Sequence, residues 1–586
     1  MGLISELRRR NVLRMAVLYA VAAWLIVQVA EVLIDLAKLP DWIGTTTLWL
    51  LAVGFPIALI FSWFYELTPE GISLEKDVDP AESITHVTGR RLDFIVISLL
   101  CAAVILFAYD KWWMGGPPEQ SIAVLPFENM SGDPEQQYFV SGMQDALIAG
   151  LSRISALKVT SKTSTMRYKD TVLAIPRIAA QLGVAKLIEG SIYRVDDRVR
   201  ITVQLIDARA DEHIWSETFE KEVKDVMMLQ NEVAQAIARQ VEVTLSPGEQ
   251  AQLKNAKSVN PVAYEAFLKG QFYVERFTPQ DMMLAAQYYQ QAVDIDPESA
   301  LAHWGLSKSC AFQAQLDLIM PEEARERCLA LVEKALELDN SLPEAHMGYA
   351  AHMNWLQFNW DAADVAFRRA IELNPSYAEA RMFYSLYLTL MGRAEEGTEQ
   401  MRLALELDPL NPFVHSMHGT QLLMIDDPHG AIKVIEDVMA STPGFGLGYT
   451  TTRIAYHVLG EKDKAIAAAA NEFRITQGDE TGALALEEAY INEDYTGAVL
   501  HAAEVLVDRS KTAYVAPMSI GMLYEQAGQV EKAIDWFEIA YREHDSFAPV
   551  MGVMTKSPAL HTNPRFIKLL RDMKLDYWAD KYSRPE

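Results

Sequence analysis

The chain has 586 residues, more than one hydrophobic core normally supports, so we expect several domains. Its formal net charge of −27 argues against nucleic acid as a partner, because binding a phosphate backbone needs clustered Lys and Arg. No motif for a phosphate-binding loop, a serine nucleophile or a zinc site occurs. The sequence therefore predicts neither an enzyme nor a bound metal or cofactor.

Three hydrophobic segments lie in the N-terminal part, near residues 12–34, 42–65 and 92–109. The second segment has 24 consecutive residues without a charge, which is enough to cross a hydrocarbon layer of about 30 Å. We therefore predict a membrane module over residues 1–114, with three spans in contact with the lipid bilayer.

Basic residues are distributed unevenly around these segments. Arg8 to Arg10 precede the first segment, and Arg90 and Arg91 precede the third, which by the positive-inside rule places the N-terminus in the cytoplasm. Three crossings would leave the chain after Lys111 in the periplasm. The expected location is the cell inner membrane, multi-pass, with a periplasmic C-terminal bulk.

After a linker at residues 115–120, strand patterns alternate with amphipathic helix patterns. The segment opens with a buried strand, continues with a turn at residues 129–136, and has a hairpin turn at Asp196 and Asp197. The pattern indicates a small α/β domain over residues 121–245.

Residues 258–545 repeat a helical pattern. Pro375, Pro409 and Pro443 stand 34 residues apart, with small and aromatic residues at fixed offsets before each of them. Such units stack into a superhelix whose concave face binds partners. The pattern resembles the tetratricopeptide repeat, and we expect residues 546–586 to form a C-terminal cap.

The α/β segment is also similar to a known domain. The runs AVLPFENMSGDPEQQYFVSGMQDALIAGLSR and LGVAKLIEGSIYRVDDRVRITVQLIDARADEHIWSETFE resemble the TolB/FlgO-like amino-terminal domain of bacterial membrane proteins. The resemblance implies a layout in which this domain precedes tetratricopeptide repeats. Some relatives add an adenylate cyclase or CadC-like output domain, which we expect to be lacking because only about eleven residues precede the first predicted span.

Few side chains suggest chemistry. His415 with His418, and His346 with His352, could share helix faces and bind a metal, but their inward repeat positions favour core packing. The turn at residues 129–136 could bind a ligand through amides at the start of a helix, although a plain capped turn fits better. No catalytic, cofactor-binding or metal-binding residue is assigned, and no individual partner-binding residue is assigned.

The chain has three cysteines. Cys310 and Cys328 fall on the two helices of one repeat, and the pattern fits either a disulfide in an oxidising compartment or two small buried thiols. Cys101 lies inside the third hydrophobic segment, where we expect it to pack within the membrane.

These observations predict a multi-domain protein, with a three-helix membrane module, a small α/β domain and an all-α repeat superhelix. The first functional hypothesis is a membrane-anchored scaffold or assembly factor that binds a protein partner on the concave face of the repeats. The alternative is a transmembrane sensor that relays periplasmic binding to a separate cytoplasmic partner. Gln28 and Glu31 are polar residues in or near the first segment. The candidate elements of the sensor are Glu31, Pro56 and the loop at residues 66–91.

Overall fold

A computed structural model describes residues 117–254, 258–276, 278–315, 319–442, 445–476 and 478–584, together with scattered positions before residue 117. The chain forms two compact units, residues 1–116 and 117–586. In the first unit, strands β1 (Tyr65–Thr68) and β2 (Gly71–Leu74) pair as an antiparallel hairpin. Tyr65 therefore begins a strand, although the sequence analysis placed it at the end of a membrane span.

The predicted membrane location is corrected by the structure. Among the residues described, no helix is both long enough and apolar enough to cross a bilayer. A crossing needs about 20 consecutive, mostly apolar helical residues, and no described helix meets that requirement. The predicted spans at 12–34, 42–65 and 92–109 lie mostly outside the described residues. The prediction of a multi-pass inner-membrane protein with a periplasmic bulk is therefore wrong, and no bilayer span is assigned.

A mixed sheet opens the second unit. Its strands are β3 (Ser121–Val124), β4 (Glu128–Asn129), β5 (Lys158–Val159), β6 (Lys186–Val195), β7 (Arg198–Asp207) and β8 (Glu212–Glu222). Their order is β5-β3-β6-β7-β8, and β4 also pairs with β6. Strand β3 runs parallel to β5 and β6, whereas β6, β7 and β8 form an antiparallel meander. The hairpin predicted at Asp196 and Asp197 is present, with Asp196 at φ 50°.

Helices pack on both faces of this sheet. They are α1 (Gln137–Ser152), α2 (Lys162–Thr165), α3 (Ile175–Leu182), α4 (Val226–Gln240) and α5 (Pro247–Lys254). On one face, Val203 of the sheet shares a buried cluster with Leu147 of α1 and Val233 of α4. On the other face, Leu187 packs with Leu182 of α3. Side chains of successive strand residues point to opposite faces, so the sheet contributes to two separate cores.

Eight helix hairpins follow in the described part of the chain. The pairs are α6 (Pro261–Val274) with α7 (Pro279–Ile295), α8 (Ala300–Gln315) with α9 (Pro321–Leu338), α10 (Pro343–His352) with α11 (Trp360–Leu373), α12 (Ala378–Leu390) with α13 (Ala394–Leu407), α14 (Pro412–Met424) with α15 (Pro428–Ser441), α16 (Tyr449–Val458) with α17 (Lys462–Asn471), α18 (Glu480–Asn492) with α19 (Tyr495–Ser510), and α20 (Pro517–Gln526) with α21 (Val530–Arg542). Fully buried alanines such as Ala370, Ala404 and Ala431 lie in the second helices of successive pairs. The helix pairs confirm a C-terminal helical repeat region that resembles tetratricopeptide repeats.

A left-handed residue lies in the turn of several hairpins. Gly392, Gly460 and Gly528 take this place, with φ of 78°, 72° and 73°. Glycine adopts this conformation without a steric penalty. In the α10–α11 hairpin the same place is taken by Phe358 at φ 55°, directly after the π-helical turn Met353–Gln357. A bulky residue at positive φ is uncommon, so this turn departs from the regular repeat.

The repeats cover the outer edge of the sheet. The hydroxyl of Ser376 accepts a 3.2 Å hydrogen bond from the amide of Val159 and donates one of 3.1 Å to the carbonyl of Leu157. The amide of Ser161 donates to the carbonyl of Leu407 at 2.9 Å. These backbone groups belong to edge strand β5 and its flanks, where an uncovered edge would leave them unpaired.

A C-terminal cap closes the array. It consists of α22 (Met551–Met554), α23 (Pro558–His561), α24 (Pro564–Asp572) and α25 (Asp576–Ser583). The indole of Trp360 donates a 2.9 Å hydrogen bond to the carbonyl of Met573, and the indole of Trp578 donates one of 2.7 Å to the carbonyl of Leu390. The cap therefore packs on the turns of the α10–α11 and α12–α13 hairpins as well as on the last pair.

Candidate partner-binding surface

The first helices of several pairs carry buried polar side chains that bond within the chain. Arg453 on α16 donates a 2.7 Å hydrogen bond to the side chain of Gln526 on α20. The carboxylate of Glu525 accepts hydrogen bonds from the amides of Lys556 and Ser557, at 2.9 and 2.7 Å. Part of the repeat array therefore contacts the chain's own C-terminal segment.

A half-buried group of aromatic and charged residues lies where the α/β domain meets the first hairpin, and we call it the aromatic–cation strip. Its members come from α1, β6, α6 and α7: Tyr138, Arg194, Glu265, Lys269, Phe272, Tyr273, Arg276 and Tyr288. Five of them follow one another along α6 and its end at intervals of one, three or four residues. That spacing gathers them on one side of the helix.

Ring contacts connect the strip from end to end. The rings of Tyr273 and Tyr288 stack, with centroids 5.5 Å apart and planes 4° apart. The guanidinium of Arg276 lies over the ring of Tyr273 at 5.4 Å, and the ammonium of Lys269 lies 5.1 Å from the ring centroid of Tyr138. Cations over aromatic faces attract the ring electrons and hold both groups in place. The strip is therefore an ordered surface and not a set of independent side chains.

Glu265 joins the two domains inside the strip. Its carboxylate accepts a 2.6 Å hydrogen bond from the hydroxyl of Tyr138 and lies 3.1 Å from both Arg194 and Lys269. Burial alone would raise the pKa of Glu265, but the hydrogen bonds from Tyr138, Arg194 and Lys269 overcome that effect and lower the pKa to about 2. Burial and the bond to Glu265 raise the pKa of Tyr138, so this hydroxyl keeps its proton.

A second polar cluster lies beside the strip. The ammonium of Lys162 is 2.8 Å from Asp145 of α1 and 2.8 Å from Glu275 at the end of α6. Partial burial and the charge of Asp145 raise the pKa of Glu275, although Lys162 opposes the shift. The hydroxyl of the buried Tyr289 has no hydrogen-bond partner among the described residues. The cluster ties the α/β domain to the first hairpin through charge.

A polar cavity of about 670 Å³ lies between the α10–α11 turn, the α12–α13 turn and the cap. Trp360 and Tyr387 contribute to its wall, and Asp361, Asp364 and Asp576 contribute its carboxylates. Asp364 is paired with arginines, and the other two carboxylates lie in the first turns of helices, where negative charge is favoured. The lining is explained by the fold, so we assign the cavity no ligand.

The histidines considered as metal ligands serve the turns and the core. His415 Nε2 lies 2.8 Å from the carbonyl of Pro409, and His346 Nε2 lies 3.0 Å from that of Asn340, so each ring bonds to the turn before its helix. Burial lowers the pKa of His352 to about 4, which keeps this ring neutral. In the part of the chain that the structure describes, no group of three or more His, Cys, Asp or Glu residues could hold a metal ion.

The other positions raised by the sequence have simple outcomes. Cys310 and Cys328 form a disulfide with Cα atoms 5.6 Å apart. In the turn at residues 129–136, the amide of Glu135 donates a 2.9 Å hydrogen bond to the carboxylate of Asp133, as in a plain capped turn. Of the remaining positions, Pro56 is described within a helix, whereas Gln28, Glu31 and Cys101 lie outside the described residues.

The strip was missed by sequence reasoning because its members are far apart in the chain. A partial signal existed along α6 and just after it, where Lys269, Tyr273 and Arg276 recur at helical spacing and Phe272 lies beside Tyr273. Nothing in the sequence indicated that Tyr138 and Arg194 would join them.

Comparison with known proteins links the α/β domain to regulatory proteins. Residues 118–236 match the family model for the second domain of HilA/YgeH-like transcriptional regulators. The chain is 34% identical over 243 residues to a Rhizobium meliloti protein named "Putative adenylate cyclase 3", covering 41% of each chain. It is 22% identical over 300 residues to the transcriptional regulator HilA of Salmonella typhimurium, covering 50% of this chain and 52% of HilA. The chain thus spans about half or less of these curated relatives, and the TolB/FlgO-like resemblance stays a prediction.

Solved structures similar to this chain are tetratricopeptide repeat proteins. One from Parabacteroides merdae is 15% identical and covers 46% of this chain and 100% of its own, with a TM-score of 0.32. YrrB, described as a repeat protein with an unusual peptide-binding site, is 18% identical and covers 36% of this chain and 98% of its own, with a TM-score of 0.24. These scores are low, so the repeat assignment depends on the helix pairs described above.

Proposed function

We propose that this protein is a protein-binding scaffold that contacts its partner through the aromatic–cation strip. The observation that carries the proposal is a half-buried, ordered set of Tyr, Phe, Arg and Lys side chains across two domains. Tyr and Arg are enriched among the residues that dominate binding energy in protein interfaces. Helical repeat arrays present extended surfaces of this kind to partners.

The way the domains are joined supports the proposal. Ser164 of α2 and Asp408 after α13 share a buried 2.6 Å hydrogen bond, and Ser376 pairs with the edge of β5. A surface built from two domains holds its geometry only if the domains keep their relative position. These contacts hold the two domains in a fixed relative position. A partner would therefore bind a preformed surface, and less binding free energy would be spent on ordering it.

The proposal is tested by removing the stacked ring pair. The full-length chain and its Tyr273→Ala/Tyr288→Ala variant are used to isolate bound proteins from the native cell, and Tyr193→Ala serves as the matched control. Tyr193 is an exposed tyrosine of β6, next in sequence to Arg194 but on the opposite face of the strand. We expect a partner that the wild type and the control retain and the double variant loses, with unchanged thermal unfolding. Equal retention by all three chains would overturn the proposal.

A second candidate function is a regulatory input domain. It is favoured by the match of residues 118–236 to a domain of transcriptional regulators and by the relative named an adenylate cyclase. On this view the scaffold would bind a protein whose activity it controls. The two candidates differ in one measurement: addition of the full-length chain to the isolated partner changes the partner's activity if the chain is regulatory and leaves it unchanged if the chain is only a scaffold.

A further inference from the structure

We infer that the aromatic–cation strip binds an acidic segment of the partner protein, one that presents a carboxylate beside an aromatic side chain. The inference depends on the proposed scaffold function and adds the chemistry of what is bound.

The charges of the strip are unbalanced. Arg194, Lys269 and Arg276 are cationic, whereas Glu265 is the strip's one carboxylate. Glu265 lies 3.1 Å from both Arg194 and Lys269, so two positive charges share one negative charge. The strip therefore carries an excess positive charge that a ligand carboxylate would neutralise.

The acidic residues around the strip are already engaged. Asp281 accepts a 2.7 Å hydrogen bond from the hydroxyl of Thr278 and lies 3.8 Å from Arg276. Asp145 and Glu275 both bind Lys162 at 2.8 Å. With Asp281 counted beside Glu265, the three cations of the strip face two carboxylates, so one excess positive charge remains.

Arg276 has the geometry of a carboxylate receptor. Its guanidinium lies over the ring of Phe272 at 4.5 Å, and its side chain is 50% exposed. A guanidinium stacked on a ring keeps its N–H edge free, and that edge matches the two oxygens of a carboxylate. Among the described residues, its ion pair with Asp281 has a distance of 3.8 Å, which is too long for a hydrogen bond. Arg276 can therefore accept a further carboxylate without losing its ring contact.

The stacked tyrosines supply the second element of recognition. Tyr273 and Tyr288 are both half-buried, with parallel rings 5.5 Å apart. Aromatic rings pair with other aromatic rings in offset or edge-on arrangements that contribute about 0.5 to 1.5 kcal/mol beyond area burial. A partner segment with an aromatic residue next to its carboxylate would use both parts of the strip.

The net charge of the chain, −27, disfavours acidic ligands in general. Salt screens this repulsion beyond about 8 Å, so an acidic segment must be held by the local cations of the strip. A nucleic acid would bring many more negative charges close to the acidic surface. We therefore favour a protein segment over a nucleic acid, and the latter becomes an outcome of the test.

The test uses the full-length chain and four fluorescein-labelled probes. Three are decapeptides in which Phe alternates with Glu, Ser or Lys, and the fourth is a ten-nucleotide oligothymidine. Fluorescence polarisation is measured with wild type, with Lys269→Glu/Arg276→Glu and with the control Lys334→Glu. Lys334 is a half-exposed lysine of α9, outside the strip, and it also has an acidic neighbour, Glu337.

We expect the Glu–Phe peptide to bind at least tenfold more tightly than the Ser–Phe peptide and to weaken as salt rises. The double variant should lose this preference, and Lys334→Glu should keep it. Lys269→Met keeps the side-chain stem but removes one charge, so its affinity for the Glu–Phe peptide should lie between those of the wild type for the Glu–Phe and Ser–Phe peptides. This single variant keeps the test valid if the double variant does not fold. Equal binding of the Ser–Phe peptide, tighter binding of the Lys–Phe peptide or the oligothymidine, or an unchanged double variant would overturn the inference.

Failure of this inference can be told apart from failure of the scaffold proposal. A cellular partner that depends on Tyr273 and Tyr288 but not on Lys269 and Arg276 would support the scaffold and overturn the acidic segment. A cellular partner that depends on neither the two tyrosines nor the two cations would overturn both.

Discussion

The carboxylate of Asp408 accepts a 2.6 Å hydrogen bond from the hydroxyl of Ser164, which lies 244 residues earlier in the chain. The amide of Ser164 donates to the same oxygen at 3.2 Å, and the side chain of Asn411 donates to the other at 2.6 Å. The hydroxyl of Ser164 in turn accepts from the amide of Leu410 at 2.9 Å. Burial raises the pKa of Asp408, although these hydrogen bonds oppose the shift. The network fixes the α/β domain on the middle of the repeat array.

Removal of this carboxylate should destabilise the second unit. Asp408→Ala leaves the buried amide and hydroxyl of Ser164 without their acceptor, and we expect it to lower the free energy of unfolding by about 2 to 3 kcal/mol. Urea unfolding of the full-length chain measures the change. Asp361 is exposed, and Asp361→Ala serves as a control that should lower the free energy of unfolding by about 0.5 kcal/mol or less. Equal losses in both variants would show that Asp408 does not join the domains.

The ring of Tyr289 should make two glycines irreplaceable. A Cβ added at Gly305 would lie 2.4 Å from this ring, and one at Gly270 would lie 2.7 Å from it. Because the ring is fully buried, we expect Gly305→Ala to cost about 1 to 3 kcal/mol of stability. Gly248→Ala, where the added Cβ has open space, is the matched control. Thermal unfolding measures both, and combining Gly305→Ala with Tyr289→Leu should recover part of the loss; no recovery would place the strain elsewhere.

Stability should fall as the pH is lowered from 6.5 to 4, partly because of His561. Burial lowers the pKa of His561 to about 4, and the ring stacks on Tyr582 with centroids 3.7 Å apart. An unfolded histidine titrates near pH 6.5, so the unfolded chain binds more protons in this window and acid favours it.

The contribution of His561 can be isolated with His561→Gln. We expect the variant to lose about 1 kcal/mol less stability than the wild type between pH 7 and pH 5. Urea unfolding at each pH gives the comparison, and the exposed His429→Gln should keep the wild-type slope. A variant with that same slope would show that His561 is not held in its neutral form.

The disulfide should contribute to stability under oxidising conditions. Cys310 and Cys328 are separated by 18 residues. In the chain-entropy model, closing a loop of this length lowers the entropy of the unfolded chain and so raises the free energy of unfolding by about 3 kcal/mol. In oxidising buffer we expect the free energy of unfolding of Cys310→Ala/Cys328→Ala to be lower than that of the wild type by up to this amount. A reductant should lower the value for the wild type to that of the variant. A wild type whose stability is insensitive to reductant would contradict this expectation.

The repeat region follows from local sequence rules. The 34-residue period, marked by Pro375 and Pro409, is the length of one helix hairpin. Turn glycines such as Gly392 and Gly528 each act within their own hairpin, so the sequence alone predicts helix pairs there. The π-helical turn before Phe358 breaks that pattern, because Phe is a poor choice for a left-handed turn. The membrane prediction used the length of uncharged runs and the distribution of basic residues, and neither shows that a helix long and apolar enough to cross a bilayer is formed.

The long-range contacts could not be predicted from one sequence. Ser164 and Asp408 are ordinary polar residues in their local surroundings, and their pairing appears only when the repeat array curves back to the α/β domain. The same holds for the strip, where Tyr138 and Glu265 come from different domains. The spacing along α6 places its side chains near one another but does not indicate the second domain that completes the surface.

The most direct test of the proposed binding surface is site-specific photo-cross-linking in the native cell. A photoreactive phenylalanine analogue replaces Tyr288 in the strip in one chain and the exposed Val365 of α11 in another. We predict a discrete cross-linked protein at position 288 and none at position 365. Cross-linking at position 365 alone, or at neither position while a partner still co-purifies, would contradict the account and move the binding surface elsewhere.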